Sequence, residues 1–150
     1  MSLQEQVMTE MKAAMRAKDA TKLEALRAIK SGILLAATEN SSKEDLSQEE
    51  ELKLLQKLVK QRKDSAAIYV EQGREDLAQP ELDQAAVIEQ FLPAQLSEEE
   101  VEKVVEGIIA QSGAEGMKDM GKVMGLASAE LAGKADGKTI SMLVKKKLSN

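Results

Sequence analysis

The stretch FLPAQLSEEE, residues 91–100, constrains the fold of this chain more than any other. Elsewhere the sequence is a nearly unbroken succession of Ala, Leu, Glu, Lys, Gln and Met, all strong helix formers. Pro93 has no backbone N–H to donate and cannot continue a helix. Shortly after it, Ser97 and Glu100 have the Ser-x-x-Glu spacing of a capping box that opens a new one. The expectation is an all-α protein in two parts: a multi-helix N-terminal domain over 1–93 and a small three-helix bundle over 94–150. Nothing alternates at period two as a strand would.

Apolar spacing places the helices. Ser2 caps a first helix with Leu3, Val7, Met11, Ala14 and Met15 on one face, broken near Lys18-Asp19-Ala20-Thr21. A second carries Leu23, Leu26, Ile29, Ile33 and Leu34, and the polar run TENSSKEDLS (38–47) reads as loop. Ser47 opens a long third helix whose acidic first turn, Glu49 to Glu51, suits the positive end of the helix dipole. Its stripe runs through Leu52, Leu55, Leu58, Val59, Ala66 and Val70, with Gly73 as the stop. REDLAQP is expected to connect to a short helix opened by Pro80 and carrying Leu82, Ala86 and Val87. After the junction, Val101, Val104, Val105, Ile108 and Ile109 form one face of a helix ended near Gly113. Two further helices are expected, from about Met117 to Leu131 and from about Lys138 to Leu148.

Several kinds of chemistry are excluded at once. The chain has no cysteine and no histidine, so thiolate nucleophiles, Ser-His-Asp triads and the usual zinc sites lose their residues. Tyr69 and Phe91 are the only aromatic residues, too few for a base-stacking platform. Carboxylates are plentiful but scattered, with no apolar pocket to mark a catalytic pair. No catalytic residue, metal site or cofactor is expected. Residues 1–20 carry charges at helical spacing and read as neither signal peptide nor anchor. No apolar run approaches 18 residues, so no membrane partner is expected and the assigned location is the cytoplasm.

Three features of the C-terminal half bear on binding. AGKADGKTIS (132–141) contains Gly133, Gly137, Lys138 and Thr139, a P-loop spelling short by one residue. Its flanks are helical in composition, so it reads as a turn between helices, with Gly133 ending one and Asp136-Gly137 starting the next. In DMGKVMGLA (119–127), Gly121 and Gly125 share a helix face; they permit close packing inside the bundle or the approach of a partner's backbone. Charge is the third. Residues 96–116 hold six acids and one base, whereas 117–150 hold seven lysines and three acids. In a chain of net charge −5, Lys118, Lys122, Lys134, Lys138 and Lys145-Lys146-Lys147 therefore form a local basic region. It reads as phosphate contacts without base specificity, or as lysines complementing helix C-termini. A second cluster, KLVKQRKDS (57–65), reads as a solvated helix face with surface pairs such as Glu49–Lys53.

Four pieces in this order resemble the GatB/YqeY family. MKAAMRAKDATKLEALRAIKSGI (11–33) resembles its opening helix pair, and KQRKDSAAIYVEQGREDLAQPE (60–81) its long helix with a Gly-Arg-x-Asp-Leu turn. FLPAQLSEEE resembles its junction. DMGKVMG with GKADGKTISMLVKKKL (133–148) resembles its C-terminal signature. The chain departs from that pattern at Phe91, where the family has Tyr, and at Lys134, where Arg is usual; Lys keeps the charge but gives up bidentate phosphate geometry.

The resemblance implies an all-helical fold. Fused to the B subunit of glutamine-dependent aspartyl/glutamyl-tRNA amidotransferase, the family's domain is the tail that contacts the tRNA body. The large catalytic domain of those proteins has no counterpart in these residues. The expectation is a non-catalytic module that binds tRNA or a tRNA-processing complex. Lys118, Lys122, Lys134, Lys138 and Lys145 are its candidate phosphate contacts, with Gly121 and Gly125 allowing close approach. The alternatives are a protein-interaction module docking on an amidotransferase or synthetase, and a carbon–nitrogen ligase with glutamine as amido donor.

Overall fold

The computed structural model describes residues 2–39 and 46–149, and within them every regular element is helical. The chain divides into two compact units, Met1–Leu92 and Pro93–Asn150. In the first, α1 (Leu3–Ala17) and α2 (Ala20–Glu39) form one hairpin, and α3 (Gln48–Glu71) and α4 (Glu75–Glu89) form another. In the second, α5 (Glu98–Ser112), α6 (Met120–Glu130) and α7 (Gly137–Leu148) pack pairwise, with a 3₁₀ turn at Met117–Asp119 leading into α6.

Local chemistry sets most boundaries. Ser2 and Glu5 form a full capping box at α1, as do Ser97 and Glu100 at α5. Lys18 adopts φ 55° to end α1, and Asp19 accepts from the Lys22 N–H at 3.0 Å to start α2. Ser47 caps α3. Gly73 and Gly113, at φ 73° and 70°, stop α3 and α5 in the left-handed conformation that glycine adopts without a Cβ penalty. Of the run 38–47 expected as loop, Thr38 and Glu39 complete α2; residues 40–45 lie outside the described residues.

The core of the N-terminal unit joins Leu3, Val7, Leu26, Ile29, Leu55, Val59 and Ile88. Parts of the expected faces shift. Pro80 does not open α4 but sits inside it, because the helix already starts at Glu75. Ala78, Ala85 and Ile88 are then the buried stripe, and Leu82 and Ala86 turn outward. Apolar spacing puts Met15, Leu34 and Val70 on inward faces, yet each is about half exposed, at 52%, 53% and 52%, lying on parts of their helices left uncovered by the described residues. Close helix approach occurs at Gly32 of α2, where an added Cβ would lie 2.8 Å from Leu54 Cδ1 of α3.

The C-terminal unit buries Val101, Val105, Ile108, Val123, Ala127, Leu131, Ile140, Leu143, Val144 and Leu148. Val104 and Ile109 pack on its margin. The α5 face read from the sequence is therefore the one that faces the core.

Candidate functional site

The α6–α7 turn is built from a few backbone choices. Gly133, buried and at φ 75°, reverses the chain after Leu131. Asp136 then caps α7, its Oδ1 accepting from the Thr139 N–H at 2.6 Å. A P-loop needs a preceding strand and a free helix N-terminus for phosphate. Here α6 precedes the turn, and the Asp136 carboxylate stands where an anion would sit. AGKADGKTIS is a helix-to-helix turn.

The turn is also tied to the residues before α5. Gln95 Nε2 donates to the Gly133 carbonyl at 2.7 Å and to the Pro93 carbonyl at 2.9 Å. The Leu96 N–H donates to the Lys134 carbonyl at 3.0 Å. Two pieces of the sequence 38 residues apart are thus one structure. Nothing in the sequence marks Gln95, since a polar residue beside a proline reads as loop.

The candidate lysines fall at two ends of the bundle. Lys134 and Lys138 lie at the α6–α7 turn; both are exposed and neither forms an ion pair among the described residues. Lys145 is seven residues beyond Lys138, about 10 Å along the same face of α7 at 1.5 Å per residue. That face also presents Met142, opposite the buried stripe of Ile140, Leu143, Val144 and Leu148. Because α6 and α7 run antiparallel, Lys118 and Lys122 lie at the Lys145 end, where the 3₁₀ turn packs on α7. Both are engaged internally. Lys118 pairs with Glu115 at 3.7 Å, and Lys122 Nζ donates to the Ser112 carbonyl at 3.3 Å, closing the end of α5.

Lys147 differs from its neighbours. Its ammonium lies 2.7 Å from both Glu102 and Glu106, one turn apart on α5. Hydrogen bonding to Glu102 and then Glu106 raises the Lys147 pKa, and the bond from Lys147 lowers that of Glu102. Its charge is consumed in joining α7 to α5. The Glu102–Glu106 spacing is visible in the sequence; its cationic partner, 41 residues or more away, is not.

Gly121 and Gly125 are exposed on α6, and a Cβ at either would meet nothing within 4 Å. Close packing inside the bundle is therefore not their role. They leave a stretch of backbone open to solvent.

The second basic cluster is divided between a pair within α3 and contacts to α4. Lys60 bonds Asp64 at 3.2 Å, Lys63 reaches Glu89 of α4 at 2.6 Å, and Arg62 donates to Gln84 at 3.0 Å. The surface pair Glu49–Lys53 is present at 3.1 Å. Among the described residues, the carboxylates with clearly shifted pKa values are lowered by structural partners: Asp76 by the Arg74 fork, Glu100 by the Ser97 N–H and hydroxyl, Glu102 by Lys147. Two open clefts of about 340 and 320 Å³ flank Phe91 in the N-terminal unit. Glu10, on the rim of the first, is already paired with Lys22 at 2.9 Å. Among the described residues, no acidic cluster is arranged for a metal, and no helix is long and apolar enough to cross a membrane.

Comparison with known proteins gives a consistent result. A family model described as "Yqey-like protein" matches residues 4–148. The chain is similar to the E subunit of glutamyl-tRNA(Gln) amidotransferase from Thermococcus gammatolerans, 44% identical over 73 residues, covering 46% of this chain and 12% of that protein. It is similar to the corresponding protein of Thermococcus sibiricus, 49% identical over 57 residues (35% and 9%), and of Methanocaldococcus jannaschii, 47% over 57 residues (35% and 9%). The matched region is thus a small fraction of those relatives' length.

Proposed function

The chain belongs to the YqeY-like family, and from that premise we propose that its C-terminal unit binds tRNA, or a complex carrying it, through phosphate contacts and without chemistry of its own. The similarity to glutamyl-tRNA(Gln) amidotransferase proteins supports the choice of tRNA over other polyanions. One observation carries the assignment to this surface. In a chain of net charge −5, Lys134, Lys138, Lys145 and Lys146 are exposed and have no carboxylate partner among the described residues. Lys134, Lys138 and Lys145 are the primary contacts. Lys118 and Lys122 join them by exchanging weak surface interactions for phosphate, a trade that costs little. Gly121 and Gly125 leave room for a strand to lie against α6.

The test is binding to bulk tRNA over a salt series. Affinity should fall steeply with salt, and Lys134→Ala, Lys138→Ala and Lys145→Ala should each lower the log–log slope by about 0.7–0.9. Lys57→Ala, on an exposed face of α3, should leave the slope unchanged. Absence of binding by the intact chain at low salt refutes the proposal.

A second reading, a protein module docking on an amidotransferase or synthetase, is favoured by one observation. Leu34 and Leu35 on α2 and Ile68 on α3 are large apolar side chains, more than half exposed among the described residues. Partners recovered from lysate that survive RNase treatment support docking; partners lost with RNase support RNA binding.

A further inference from the structure

We propose that Gln95 is a positioning residue for phosphate binding: its carboxamide fixes the turn that presents Lys134, so that this lysine meets RNA pre-organised. The inference rests on the phosphate-binding reading above and assigns a part to a residue outside the basic region.

The geometry is specific. A single side-chain nitrogen, Gln95 Nε2, satisfies two backbone carbonyls, those of Pro93 and Gly133. Gly133 is buried and held at φ 75°, so its carbonyl turns away from the helical direction and needs a donor. The next carbonyl, that of Lys134, takes the Leu96 N–H, and the Lys134 N–H closes on the Leu131 carbonyl at 2.9 Å. Both peptide groups of Lys134 are therefore held while its side chain is exposed. Lys138 does not depend on this arrangement. It lies inside α7, which is started by Asp136. The two lysines of the turn are thus held by independent devices, and loss of Gln95 should disturb one and spare the other.

A double-mutant cycle on tRNA binding decides the matter. Gln95→Met keeps the length and removes the donor without changing charge. Both Nε2 hydrogen bonds are lost; the one to the Gly133 carbonyl holds the turn, and its loss should weaken binding by about threefold to tenfold. On a Lys134→Ala background the same change should have no effect, whereas on a Lys138→Ala background its full cost should persist. Amide exchange at Leu96 should speed up in Gln95→Met while that of Val105 and Val144 in the core stays slow, showing a loosened turn in a folded unit. Equal cost of Gln95→Met on all backgrounds overturns the positioning role and leaves phosphate binding standing. Unchanged exchange at Leu96 also overturns it. Failure of the unsubstituted chain to bind tRNA at low salt removes both readings together.

Discussion

Replacing Gly125 with alanine should separate stability from the proposed RNA binding. Gly125 is the sixth residue of α6, exposed, and its missing Cβ would meet nothing within 4 Å. No contact is gained or lost, so the helix-propensity difference acts alone and Gly125→Ala should stabilise the C-terminal unit by about 1 kcal/mol. Gly121, second residue of the same helix, should yield about half of that, because helix ends express propensity weakly. Gly107 on α5 is likewise exposed and open, and serves as the matched control on a helix whose charges are mostly acidic. For a unit of this size, 1 kcal/mol corresponds to about 4–8 °C in Tm. Thermal unfolding of the three alanine variants should therefore show increases in every case. Binding to bulk tRNA should then divide them: Gly107→Ala unchanged, Gly121→Ala and Gly125→Ala weaker, because a methyl group would stand where the proposed RNA strand approaches. A lowered Tm for Gly125→Ala would refute the reasoning, since it would mean that the glycine packs against protein after all. A raised Tm with unchanged binding would remove the two glycines from the interface.

Three further outcomes test the fold. Ser97→Ala removes the capping box that opens α5 and should destabilise the C-terminal unit by about 1 kcal/mol, read by chemical denaturation. Lys147→Met should flatten the acid side of the pH–stability curve. The Glu102 pKa is lowered in the folded chain, so its contribution is present above the usual glutamate range and is lost as pH falls through the folded value. The Lys147 pKa is raised, so its contribution is present below the usual lysine value and is lost as pH rises through the folded one. Gly32→Ala should be nearly neutral, because the propensity gain of about 1 kcal/mol is offset by displacement of a Leu54 methyl, whereas Gly32→Val should cost about 1–3 kcal/mol by overpacking.

The sequence by itself determined the helical class and most helix ends. These depend on interactions within four residues: Ser2 with Glu5, Ser97 with Glu100, and glycine at Gly73, Gly113 and Gly133. It also determined the core face of α5, because apolar spacing at 3.6 residues needs no neighbour to be read. The tertiary structure decided what depends on a second element. It put Pro80 inside α4, left Leu34 and Val70 half exposed, and placed close helix–helix packing at Gly32 and not at Gly121 or Gly125. Seven lysines in 117–150 look alike as a sequence. Which of them are engaged within the unit follows from where Glu102, Glu106, Glu115 and the Ser112 carbonyl lie. The same holds for Gln95, whose amide meets Gly133 only after α5, α6 and α7 have packed. Local capping is encoded by spacing along the chain, whereas the partners of a charge or an orphan carbonyl are chosen by packing.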